Sequence, residues 1–201
     1  MPTRAGHDRV LVLAAGRGTR MGTPKALMLV GGEPWWVRQA RRIDDAGLGQ
    51  TWVVSESVRT TMLAQGAGVG FVTADAGAPM FESLVAGLVA LREDPPRGVF
   101  VLPVDVPAPG RGVFDSLSGS AGASVPVYRG KAGHPVYLPW GWVRGRVLTP
   151  GQGGEASPLD GGRRRLDRLL DGEAVRVAVD DPATVVNLNT PGDLERWLGR
   201  A

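Results

Sequence analysis

The stretch RVLVLAAGRGTRMGTPK, residues 9–25, decides how the chain is read. Residues 9–14 are a short apolar run with a glycine-rich segment behind it, the pattern of a buried parallel strand. The following loop, 15–24, holds Gly16, Gly18 and Gly22 together with Arg17 and Arg20, and Lys25 stands just beyond it. Glycines let backbone N–H groups turn toward an anion and approach it without interference from a Cβ. Three cationic side chains add full charge, and a triphosphate needs that combination. Two other glycine motifs are excluded. The dinucleotide fingerprint G-x-G-x-x-G requires glycine where Met21 stands, and the G-x-x-x-x-G-K-[ST] loop requires Gly and Lys to be adjacent, whereas Thr23 and Pro24 separate Gly22 from Lys25. The plain alternative is a βα turn with scattered arginines.

Outward from this stretch, strand and helix patterns alternate. Helical spacing covers 33–46, 57–65 and 81–92, and strands are predicted at 51–55, 70–73 and 98–102, with Pro103 ending the last one. The later chain is more mixed. Strands at 124–128 and 134–138 flank a turn at 129–133, and 147–162 reads as a mobile Gly/Pro-rich loop. A helix at 163–170, a strand at 174–179 and a helix at 191–198 complete the pattern. The expected fold is α/β, three-layered and Rossmann-like, with a mixed, mainly parallel sheet. With 201 residues and no linker-like tract, the expectation is a single domain over 1–201.

Composition narrows the function. The chain has no cysteine, which excludes disulfides, thiol catalysis and iron–sulfur clusters. The net charge of +3 is carried by scattered residues, with Arg163–Arg164–Arg165 the one tight run, so nucleic acid is not the expected partner. The chain offers neither a signal-peptide pattern nor a membrane-length apolar stretch, and the expected location is the cytoplasm. Only Lys25 and Lys131 are lysines among 23 Lys and Arg residues, which hints that an ammonium is wanted at those places. Trp35, Trp36, Trp140 and Trp142 read as packing or subunit contacts.

Four further motifs carry chemistry. In LPVDVP, residues 102–107, Asp105 falls just past a strand, at the carboxyl edge where α/β ligands bind. It offers a hard oxygen for a divalent cation, or else caps the next helix. In VNLNTPGDL, residues 186–194, Asn187 and Asn189 alternate with apolar neighbours and point to one side, while Thr190 and Pro191 form a helix start. In PMFESLVAGL, residues 79–88, Ser83 can bond a base or phosphate from the first helical turn, or its own backbone. Asp75, shortly before, is a candidate base contact. In KAGHPV, residues 131–136, His134 and Lys131 are candidate acceptor contacts, with a structural histidine and an exposed turn lysine as the alternatives.

LAAGRGTRMGTPKAL resembles the signature of nucleotidyltransferases with a Rossmann-like sheet, most of all the molybdenum cofactor (MobA-like) NTP transferases. Five segments match in order across 10–194. The SLVAGL helix and the GHP motif resemble the cytidylyl branch, while Asn187-Leu-Asn189 looks more like the guanylyl branch. The resemblance implies transfer of NMP, CMP favoured, from an NTP to a phosphorylated acceptor, molybdopterin, with release of pyrophosphate. Sugar- or alcohol-phosphate transfer and a catalytically silent nucleotide-binding delivery protein are the alternatives. It further implies that Leu13, Ala14, Ala15, Gly16, Arg17, Gly18 and Thr19 bind the nucleotide and that Lys25 and Arg20 stabilise phosphate charge. Asp105, with Asn187 or Asn189, would hold Mg2+ or alternatively Mn2+, and a molybdoenzyme is an allowed partner.

Overall fold

The computed structural model describes residues 7–16, 22–149 and 165–199. The central sheet has eight strands among the described residues. In chain order these are β1 (Arg9–Ala14), β4 (Gly49–Val54), β5 (Gly70–Thr73), β6 (Gly98–Pro103), β7 (Ser124–Tyr128), β8 (Lys131–Ala132), β9 (Val136–Pro139) and β10 (Val175–Ala178). Their spatial order is β10-β7-β9-β6-β1-β4-β5, with β8 paired to β7. β6, β1, β4 and β5 are mutually parallel, and β10 runs parallel to β7. β9 is antiparallel to both β6 and β7. The mixed, mainly parallel α/β architecture expected from the sequence is therefore present.

Alternation along β1 builds the two sides of the core. Val10, Val12 and Ala14 face one way and meet α1 (Trp35–Asp45), α2 (Glu56–Ala64), α4 (Arg111–Ser118) and α7 (Pro191–Leu198). Leu11 and Leu13 face the other way and meet α3 (Met80–Ala90), α5 (Trp140–Arg146) and α6 (Leu166–Leu170). Covering both faces of the sheet gives the three layers.

Several boundaries differ from the sequence reading. Residues 33–34 do not begin α1: Glu33–Pro34 is a short strand, β3, that pairs with β2 (Leu29–Val30) in a hairpin. The turn predicted at 129–133 tightens to Arg129 and Gly130, both at positive φ, and Lys131–Ala132 returns as β8 against β7. The expected loop from 147 starts with Val147 and Leu148 buried against the core, and its remainder lies outside the described residues. Helices α4 and α5 were not anticipated. No described helix is long and apolar enough to cross a membrane.

Candidate active site

The parallel strands end on one edge, and the chemistry-bearing segments collect there. Past β1 come Ala15 and Gly16, which open the glycine loop. Arg17, Gly18, Thr19 and Arg20 lie outside the described residues. Lys25 starts a single 3-10 turn, Lys25–Leu27, that brings the chain back beneath this edge. Past β6 comes Asp105. It caps no helix, since α4 begins after Gly110, and its carboxylate is free for other work.

That work is a three-way contact. Lys25 Nζ donates to Asp105 Oδ2 at 2.9 Å and to Asn189 Oδ1 at 2.9 Å. Both side chains of the ion pair keep about a fifth to a quarter of their surface, 20% and 24%. Residues 80 and 164 positions apart in sequence thus converge on one ammonium. The third segment is tied in by its backbone as well, because Leu188 N–H donates to Asp105 O at 2.8 Å. Leu188 is buried while Asn187 and Asn189 are exposed, so the alternation read from the sequence holds. Thr190 caps α7 through Asp193 N–H at 3.2 Å. Asp193 Oδ2 returns the favour to the backbone N–H groups of Asn189 and Thr190, a reciprocal capping box that fixes where Asn189 points.

A cavity of about 550 Å3 opens beside this contact, lined by His134, Asn187, Gly133, Thr184 and Arg176 with apolar walls from Val106, Val136 and Leu170. His134 reaches the edge because β9 runs against β6. Val101 pairs with Val136, which sets the residues preceding β9 beside the carboxyl end of β6. Its backbone N–H donates to Thr184 O at 2.8 Å, and its Nδ1 is buried without a hydrogen-bond partner. Burial lowers its pKa below the ordinary value of 6.5, opposed by the nearby Asp105 carboxylate and the Val101 carbonyl. The imidazole is therefore neutral near pH 7.

The other expected residues fall elsewhere. Asp75 is exposed just past β5 and accepts from Gly77 N–H at 2.9 Å. Ser83 lies in the first turn of α3 but is 4% exposed, turned inward with Leu84 and Gly87, which leaves it little surface for a nucleotide. Lys131 is exposed on β8. The sequence reading missed Trp35 and Gln39, whose polar atoms bond the backbone around Asp105. A glutamine inside the apolar stripe of α1 was the available signal.

A cation is already wanted between Asp105 and Asn189, as the Lys25 ammonium demonstrates, and carboxylate and amide oxygens are hard donors suited to Mg2+ or Mn2+. No cluster of three or more His, Asp or Glu occurs among the described residues, so phosphate oxygens would have to complete such a shell.

A doubly covered α/β sheet with a glycine loop, a lysine and a strand-end carboxylate on its carboxyl edge defines a Rossmann-like nucleotide-handling enzyme. The MobA-like NTP transferase domain matches residues 10–178, and the chain belongs to that nucleotidyltransferase family. No curated protein matches the sequence significantly. Solved structures share the fold. Rv0371c of Mycobacterium tuberculosis H37Rv, in a complex with manganese, superposes with a TM-score of 0.71 at 21% identity, covering 97% of this chain and 100% of that one. The molybdopterin-guanine dinucleotide biosynthesis protein A of Archaeoglobus fulgidus gives 0.66 at 18% identity, covering 96% and 100%. The 4-diphosphocytidyl-2C-methyl-D-erythritol synthase of Anaerococcus prevotii gives 0.72 at 11%, covering 98% and 100%.

Proposed function

We propose that the protein transfers NMP, with CMP preferred, from an NTP to a phosphorylated acceptor, molybdopterin by family resemblance, and releases pyrophosphate. The observation that carries this reading is the convergence of Lys25, Asp105 and Asn189 at the carboxyl edge of the sheet, with the cavity lined by the neighbouring Val106 and Asn187. A neighbour of the same fold was solved with manganese, which supports a divalent cation here.

The nucleotide would lie along 13–19, its phosphates reaching Lys25 and Arg20. The acceptor would sit in the cavity against His134 and Asn187, with Lys131 as an outlying contact, while Asp75 past β5 would be an outlying contact for the base. An acceptor phosphate oxygen attacks the α-phosphorus. The new P–O bond forms as the bond to the β-phosphate oxygen breaks, and the electron pair leaves with pyrophosphate. An ionised phosphate is already nucleophilic, so alignment and charge stabilisation suffice and no base has to remove a proton. Neutral His134 fits that economy by offering a hydrogen-bonding nitrogen rather than a charge. A cation held by Asp105, with Asn189 or Asn187, would neutralise phosphate charge when bound.

A guanylyl preference is favoured by one feature, the Asn187-Leu-Asn189 segment, so base choice needs a direct test. Pyrophosphate release should be measured across four NTPs, with molybdopterin and with sugar or alcohol phosphates as acceptors. A kcat/KM ratio favouring CTP with molybdopterin supports the full proposal. A ratio favouring GTP overturns the base assignment, turnover only with another acceptor overturns molybdopterin, and NTP binding without pyrophosphate release leaves a delivery protein.

A further inference from the structure

The loop that carries Asp105 is held by one face of α1. Trp35, Gln39 and Arg42 are spaced i, i+4 and i+7 and so share that face. The Trp35 indole N–H donates to Val104 O at 2.7 Å. Gln39 Nε2 donates to Val106 O at 2.7 Å, while its Oε1 accepts from Ala108 N–H at 2.8 Å. Arg42 Nε donates to Ala108 O at 2.6 Å. From the opposite side Leu188 N–H takes Asp105 O. The carbonyls of 104, 105, 106 and 108 are thus each tied to a partner from another part of the fold. Val104, Val106 and Ala108 pack into the core as apolar side chains, and the peptide groups buried with them are bonded from α1 rather than by water. Gln39 itself is 0% exposed. Its amide is bonded at both ends, to Val106 O and Ala108 N–H, so one side chain satisfies two peptide groups of the loop at once, and such networks fix geometry.

We propose that Trp35, Gln39 and Arg42 are positioning residues that fix the Asp105 backbone so that its carboxylate stays where Lys25 and a cation-bearing triphosphate meet it. The proposal rests on the reading of Asp105 as part of the NTP site. The three side chains bond the peptide groups of the loop and not the carboxylate itself. They act through the peptide groups on either side of one carboxylate, as outer-shell partners act on metal ligands.

The test uses the full chain with Trp35→Phe, Gln39→Met, Arg42→Met and Arg42→Lys. Trp35→Phe keeps an aromatic ring and deletes one N–H, so it decides the matter if Gln39→Met fails to fold. Circular dichroism establishes folding. Mn2+ affinity is read by electron paramagnetic resonance with a non-hydrolysable NTP analogue, and pyrophosphate release is split into kcat and KM. Folded variants should lose about 10- to 100-fold in Mn2+ affinity, with kcat falling while KM for NTP holds, and Arg42→Lys should recover part of the loss. Wild-type Mn2+ affinity and kcat in folded Trp35→Phe and Arg42→Met overturn the proposal, as does a wild-type protein that binds no Mn2+ with the analogue. If the wild type binds Mn2+ but releases no pyrophosphate, the transferase reading fails while the Mn2+ comparison still decides the positioning role.

Discussion

The two sides of the sheet differ in direction, burial and task. On the side of β6, β1, β4 and β5 every strand runs the same way, and the inner strands are apolar and buried on both faces: Val10–Ala14, Trp52–Val54, Val99–Leu102. On the side of β9, β7 and β10 directions are mixed, with β9 antiparallel to its neighbours and β10 parallel to β7. Val175 and Arg176 are exposed there, and α5 and α6, which cover one face, have only seven and five residues. The parallel side delivers loop beginnings to the common edge from strand ends. The mixed side delivers His134 there from a strand beginning. β6 belongs to both, so Asp105 stands at the seam between the proposed nucleotide side and the proposed acceptor side. A rigid support for the nucleotide can therefore adjoin a looser wall whose residues differ without disturbing it.

The strongest test of this division is Lys25→Ala. Turnover should fall about 100- to 1,000-fold, the loss expected for one preorganised charge donor, with the melting temperature little changed. Near-normal kcat in the folded variant would leave the seam without its central cation. Next is a pair of glycines. A Cβ at Gly133 would lie 1.9 Å from the Thr184 backbone carbonyl oxygen, whereas at Gly16 nothing lies within 4 Å. Gly133→Ala should therefore cost about 1–3 kcal/mol of stability in denaturant melts. Gly16→Ala should melt like the wild type but raise KM for NTP, because the added Cβ obstructs the close approach of phosphate. Reversed outcomes would break the assignment of the nucleotide to the parallel side.

A smaller effect separates the two asparagines. Asn189→Ala loses one hydrogen bond to Lys25, worth about 0.5–1.5 kcal/mol, and should lower kcat some three- to ten-fold. Asn187→Ala should instead raise KM for the acceptor, and equal effects on both constants would blur the seam. The smallest effect concerns pH. The folded His134 pKa is lowered, so below about pH 6.5 the unfolded chain takes up a proton that the folded one resists. Stability should be level above that value and fall as the pH drops toward the folded pKa. His134→Gln should flatten the fall, and an unchanged pH dependence in that variant would remove His134 as its source.

Legibility followed the range of the signal. β1, β5 and α7 could be read because their apolar period, breakers and caps lie within a few residues of one another. Asp105 could be placed because a strand and its terminating proline precede it directly. α5 escaped notice because Gly141 and Gly145 dilute its helical character, and packing of Val143 and Val147 on the sheet supplies what propensity lacks. The hold of α1 on the 104–108 loop escaped because its partners lie 65 or more residues apart, where neither period nor motif speaks. Trp35 was expected to pack, and it does, but its indole N–H also bonds.

The Lys25 contact also implies an order of events. With its ammonium against Asp105, a bare divalent ion would meet a carboxylate whose charge is already paired. On the proposed reading an ion arriving on a triphosphate would be received differently, since the triphosphate would give the lysine a new anion to hold and free Asp105 for the ion. We expect calorimetric titration with Mn2+ alone to give weak heats that grow steeply once a non-hydrolysable NTP analogue is present, and equal affinity in both conditions would refute this. On this view the lysine would be a placeholder as well as a proposed phosphate contact, keeping the seat until nucleotide and ion arrive as one guest.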